Sequence, residues 1–118
     1  MATSQALFSI GQLVNHKRFE YRGVILDVDP VFQGTDEWYS QMAKSRPPKD
    51  KPWYHVLVHE KNHTTYVAER NLYLDELVKK IIHPVLPYYF TEIKDGVYQK
   101  TLNWEGEFPL PLDIVGNA

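Results

Sequence analysis

A chain of 118 residues, 43% apolar and 24% charged, has the length and composition of a single globular domain that buries about two-thirds of the surface its unfolded form exposes. It contains no Cys, which excludes disulfides, thiolate catalysis and Cys-ligated zinc. The formal net charge of -2 is opposite to the balance of a protein that neutralises many phosphates, so any nucleic-acid contact has to be local.

Residues 1–7 read as an N-terminal arm. They lack the basic stretch and apolar core of a signal peptide, and no run in the chain approaches the roughly twenty apolar residues of a membrane span, so the expectation is a cytoplasmic protein. Residues 8–102 read as the folded domain and residues 103–118, with Pro109 and Pro111, as a tail along the surface. Leu13 and Val14 begin a short strand that runs into the polar turn His16, Lys17 and Arg18. In Tyr21 to Val28 the period of two puts Val24, Leu26 and Val28 on one face, expected to be core, and Gly23 marks a bulge or a close backbone approach.

Pro30 ends that strand, because it has no N–H for a ladder. Thr35 is an N-cap candidate, and Asp36 and Glu37 suit the first turn of a helix predicted over 36–43. Trp38 and Met42 are spaced i, i+4, as are Tyr39 and Ala43, so a broad apolar side folds back on the barrel, with Trp38 and Met42 expected to pack the helix there. The following segment, Lys44 to Lys51, carries four cations against one anion, and its Pro47-Pro48 pair holds it extended. Trp53 to Val58 is the next strand, with Tyr54, Val56 and Val58 on one face and Trp53, His55 and Leu57 on the other. Lys61-Asn62-His63 turns it into a partner strand at Thr64 to Ala68. Glu69 to Leu72 suits a 3₁₀ turn, and Asp75 to Lys80 could begin a helix that His83-Pro84 stops. Leu86, Tyr88, Tyr89 and Phe90 form an aromatic knot, and Asp95-Gly96 turns into a strand at Val97 to Thr101.

The expected fold class is mainly β: a small SH3-like β-barrel with a short helical insert and a short C-terminal α/β extension, with a β-sandwich as the alternative. Asp27 and Asp29 share a strand face, where paired carboxylates can do acid-base work, but alternating acids at a strand end are more often solvated. His55, His59 and His63 invite a metal reading, yet no third ligand and orienting shell are spaced to complete it. Neither a catalytic residue, a metal nor a cofactor is expected. Two candidate DNA contacts are basic: Lys44, Arg46, Lys49 and Lys51 in the insert, and His16, Lys17, Arg18 and Arg22 around the first turn. Trp53, His55 and Leu57 are a candidate face for a protein partner, unless the segment Tyr88-Tyr89-Phe90 covers it.

Four blocks carry a resemblance: I-G-Q-x-V-x-H from Ile10, Y-R-G-V-I-x-D-V-D-P from Tyr21, P-W-Y-H-V-L-V from Pro52 and Y-V-A-E-x-N-L from Tyr66. In this order they resemble the hemimethylated DNA-binding family, also called YccV-like, whose heat-shock branch is HspQ. The continuation through His83-Pro84 and Tyr89-Phe90 is similar to the longer form of the domain in some F-box proteins and in a chloroplast Clp-protease adaptor. Glu20 stands where the family usually has glycine. The resemblance implies an SH3-like barrel, no enzymatic activity, binding to hemimethylated DNA and, in the heat-shock branch, assistance to ATP-dependent proteolysis by Lon in the stress response. The expected partner is therefore DNA, the rival being an ATP-dependent protease of the Lon or Clp type or its substrates, with the chain as a protease adaptor. Oligomers are compatible with either.

Overall fold

Strands form where β-branched and aromatic residues concentrate, because their stiff side chains suit a pleated, half-buried surface. In the computed structural model, which describes residues 6–101 and the backbone of residues 114–115, the strands are β1 (Leu13–His16), β2 (Arg22–Asp29), β3 (Trp53–Val58) and β4 (Thr64–Ala68), with α1 (Asp36–Met42) inserted before β3. A 3₁₀ turn at Glu69–Asn71 leads into β5 (Leu72–Leu74), followed by α2 (Leu86–Tyr89), β6 (Phe90–Lys94), β7 (Val97–Lys100) and β8 (Ile114–Val115). The expectations for residues 1–5 and for the rest of the tail lie outside the described residues. None of the described helices is long and apolar enough to cross a membrane.

One sheet runs in the order β5-β1-β2-β3-β4-β8, antiparallel except for the parallel β4–β8 pair. Among the described residues its ladder is open, with β5 and β8 as edges, so the chain is mainly β without the hydrogen-bonded closure expected of a barrel. The hairpin β6–β7 is a second sheet. It docks on the first through the Gln12–Val97 bridge and a hydrogen bond from Tyr98 N–H to the Gly11 carbonyl at 2.8 Å. Gly11 has φ +93, and a Cβ there would stand 2.2 Å from the Tyr98 carbonyl oxygen, so only glycine allows this approach.

β2 and β3 are buried on both faces, as central strands covered from two sides must be. Leu13, Val24, Leu26 and Leu57 pack on one side against Ile81, Tyr89, Phe90 and Tyr98 of the C-terminal extension. Val14, Ile25, Tyr54, Val56 and Val67 pack on the other, closed by Phe8 and Leu72. Of the residues expected in the core, Val24, Leu26, Val56 and Val58 are buried, but Val28 is only partly so. The pairing shifts between Ile25 and Asp27, leaving Leu26 as the extra residue, and Val28 emerges on the side of Ile25. Gly23 is the close approach: a Cβ there would meet the Leu57 carbonyl oxygen at 2.6 Å.

Two further expectations are corrected. Residues 75–80 are not helical: Asp75 is held by Arg22 and by Leu77 N–H, and Val78 has φ 52, which a helix cannot accommodate. The segment crosses the molecule as an irregular strap, anchored by Ile81 N–H to the Tyr98 hydroxyl and by Ile82 to Glu60 and His59. The second correction concerns the insert helix, whose Thr35 cap forms as expected through Trp38 N–H to Oγ1 at 3.1 Å. Its inward residues are Trp38 and Tyr39 together with Ala43, while Met42 is exposed.

Candidate nucleic-acid interface

The two basic stretches, some thirty residues apart in sequence, meet at one place. Lys17, from the turn after β1, and Lys51, from the end of the insert, line a hollow of about 320 Å³ together with Arg70. β1 and β5 are paired through His16 and Leu72, and Lys17 N–H donates to the Asn71 carbonyl at 2.8 Å, which brings the turn beside the 3₁₀ turn that carries Arg70. Arg70 also ties the insert down, donating to the Ser45 carbonyl at 2.5 Å. The one carboxylate of the hollow, Glu69, is engaged: Oε2 accepts from the Tyr54 hydroxyl at 2.5 Å and from Leu7 N–H at 2.9 Å. Three long cationic side chains thus gather around one engaged carboxylate.

The remaining predicted cations divide into exposed and structural ones. Lys44, Arg46 and Lys49 are exposed on the insert, and Arg18 on the first turn. Lys49 pairs with Asp36 at 3.0 Å and lies 4.4 Å from the Tyr39 ring centroid; Arg46 lies 5.6 Å from the same ring. His16 is 1% exposed, and its Nδ1 accepts from the N–H groups of Arg18 at 3.0 Å and Phe19 at 3.2 Å. It shapes the turn from inside and offers nothing to a ligand. Arg22 is committed as well, its Nε donating to Asp75 at 2.5 Å and its other arm to the Lys79 carbonyl at 2.6 Å. Burial raises the Asp75 carboxyl, but the Arg22 hydrogen bond, Leu77 N–H and the Arg22 charge outweigh it and hold it below the usual carboxylate range.

The face proposed from Trp53, His55 and Leu57 is covered. Trp53 and Leu57 have no exposed surface: Leu57 lies under Tyr89 and Phe90 of the extension, Trp53 under Phe32, Trp38 and Tyr39 of the insert. Only His55 keeps partial access. The histidines are apart in function: His55 faces Asp29, His59 faces Glu60 and Ile82 N–H, and the His63 carbonyl accepts from His83. Among the described residues no three His, Asp or Glu side chains gather as a metal ion requires. Asp27 accepts from Val28 N–H; burial pushes its carboxyl up, against that bond and the neighbouring His55.

Arg70 is the residue that sequence reasoning missed. It stands alone among uncharged and acidic neighbours, at the variable position of Y-V-A-E-x-N-L, so no charge run signals it.

The sequence model of the family described as "Hemimethylated DNA-binding protein YccV like" matches residues 6–97. Among curated proteins, F-box only protein 21 of Pongo abelii is 33% identical over 110 residues, which is 92% of this chain and 18% of that protein. The human and mouse proteins of the same name are also 33% identical over 110 residues, covering 92% of this chain and 17% of theirs. The chain thus spans less than a fifth of the length of these relatives.

Proposed function

The chain belongs to the YccV-like hemimethylated DNA-binding family, and from that membership we propose that it is a non-enzymatic module, of the SH3-like type, that binds DNA through the cationic face around Lys17, Lys51 and Arg70. The observation that carries the reading is the convergence of Lys17 and Lys51, from separate basic stretches, on one hollow with Arg70. Arg18, Lys44, Arg46 and Lys49 extend the charge along the duplex. Contacts of this kind set affinity and register but carry no sequence information.

Each phosphate neutralised releases condensed counterion, so binding weakens with salt at a slope near 0.9 per contact for duplex DNA. The variant Lys17→Ala/Lys51→Ala/Arg70→Ala is expected to flatten that slope by about 3 and to lower affinity evenly for hemimethylated, fully methylated and unmethylated duplexes. Titrating labelled duplexes at two salt concentrations checks both. An unchanged slope removes this face as the DNA site; equal affinity of the parent for all three duplexes removes methylation-specific binding.

A further inference from the structure

A second hollow, of about 400 Å³, opens between the end of β2, the middle of β3 and β4, and the start of α1. Its lining includes Asp29, Trp38, His55 and Tyr66, and no Lys or Arg. The Trp38 and Tyr66 rings stand at 65° with centroids 5.7 Å apart, and the His55 ring lies 4.5 Å from Tyr66. Trp53, fully buried, backs Tyr66 from within at 5.2 Å. Asp29 Oδ2 accepts from the Tyr66 hydroxyl at 2.5 Å and lies 3.3 Å from His55 Nε2, which orients the carboxylate between the rings. The Tyr66 hydroxyl is completed by Gln33 N–H at 3.0 Å; burial, the bond to Asp29 and its charge push this phenol up, so it stays a donor. Asp27, paired with His55 across the ladder, and the exposed Glu37 add negative charge near the opening, while Asp36 is paired with Lys49.

We propose that this hollow receives the side-chain ammonium of a lysine on a protein partner, with methylated lysine favoured over unmodified lysine. Trp38 and Tyr66, in edge-to-face contact, line the hollow beside the Asp29 carboxylate, where a cation gains from ring and carboxylate charge and a neutral group of the same shape does not. The Asp29 carboxylate adds an ion pair and accepts a hydrogen bond from any N–H the ammonium retains. Methyl groups spread the charge and weaken hydration, which lowers the cost of leaving water for an apolar enclosure. A nucleobase swung into the same space would bring its flanking phosphates toward Asp27, Asp29 and Glu37, so the charges that favour an ammonium oppose DNA here. The site is separate from the cationic face and does not depend on it.

The test uses the whole chain and acetylated five-residue peptides with lysine, dimethyl-lysine or norleucine at the centre of a glycine-alanine frame. The Trp38 indole N–H resonance is followed on titration. Dimethyl-lysine is expected to move it, with norleucine weaker by about tenfold or more. Asp29→Asn, whose amide oxygen can still accept from the Tyr66 hydroxyl, is expected to weaken dimethyl-lysine binding about tenfold. Lys17→Ala/Lys51→Ala/Arg70→Ala should leave it as in the parent, so that failure of the DNA face and failure of this site read separately. The parent comparison alone decides the matter if Asp29→Asn proves unstable. Equal affinity for norleucine and dimethyl-lysine, or an indole that no peptide moves at millimolar concentration, overturns the proposal. So does an indole that a hemimethylated duplex moves and the peptides do not, which would assign the hollow to DNA.

Discussion

Asp75 and Arg22 hold the strap to β2 with a side-chain exposure of 3% and 16%, so each is the other's counter-charge away from bulk water. Asp75→Asn leaves the guanidinium without its counter-charge and is expected to cost about 3 kcal/mol at neutral pH. The sign of its pH dependence follows from the lowered carboxyl. The stabilisation is fully present above the unfolded value near 3.9 and is lost as pH falls through the lower folded value. Urea midpoints of parent and variant should therefore differ by a constant amount from neutral pH to about 5 and converge in stronger acid; a gap that persists through the acid limb would separate the pair from acid stability. Glu20 is the opposite case, a residue set against its backbone. It has φ 58, in the left-handed region that favours glycine, and a left-handed residue with a Cβ costs roughly 1–2 kcal/mol. Part of that is offset by the larger unfolded-state entropy of glycine, so Glu20→Gly should raise stability by about 1 kcal/mol. A lower thermal midpoint in the variant would show that Glu20 makes a compensating contact.

At the scale of elements, the insert is held by aromatic packing and not by helix propensity. α1 has seven residues, far below the length at which a helix persists alone in water, and it lacks any fully buried residue of its own. Trp38 packs against Phe32, Trp53 and Tyr66, with centroids from 5.7 to 6.3 Å. Trp38→Ala should loosen α1 while the sheet survives, seen as faster amide exchange in residues 36–42 with unchanged protection in β2 and β3. Exchange that stays as slow as in the parent would mean the Tyr39 hydroxyl, donating to the Pro47 carbonyl at 2.6 Å, suffices to hold the insert. The helix itself was legible in the sequence, because capping is local: Thr35 and the two acids after it are a signal within one turn. Its inward face was legible in part, since the spacing marks Trp38, Tyr39 and Ala43 as apolar; leaving Met42 out of it requires knowing where Trp53 and Tyr66 stand, and those come from other strands.

For the whole molecule, the C-terminal extension is part of the core. Tyr89 has no exposed surface and packs in the cluster of Leu13, Val24, Leu26 and Leu57, so Tyr89→Ala should cost about 3–5 kcal/mol, in the range of large-to-small core changes, and unfolding should remain a single transition. Two separate transitions would show that the extension folds as a unit apart. The sequence by itself determined the mainly β class, the positions of β1 to β4, the Asp95-Gly96 turn with the strand after it, and the family, since periodicity, turn chemistry and ordered motifs are written over short stretches of chain. Tertiary structure alone decided the rest. A bulge at Leu26 moved Val28 to the other face, a buried carboxylate turned a helix-like segment into a strap, and the C-terminal segment covered Leu57. The same holds for the candidate site. Exposed Lys17 and Lys51 were visible as cations, but their meeting with Arg70 and the withdrawal of His16 and Arg22 into structural bonds depend on β1 pairing with both β2 and β5. Charge can be read along a chain, whereas which charges face one phosphate backbone is set by strand pairings between residues far apart in sequence.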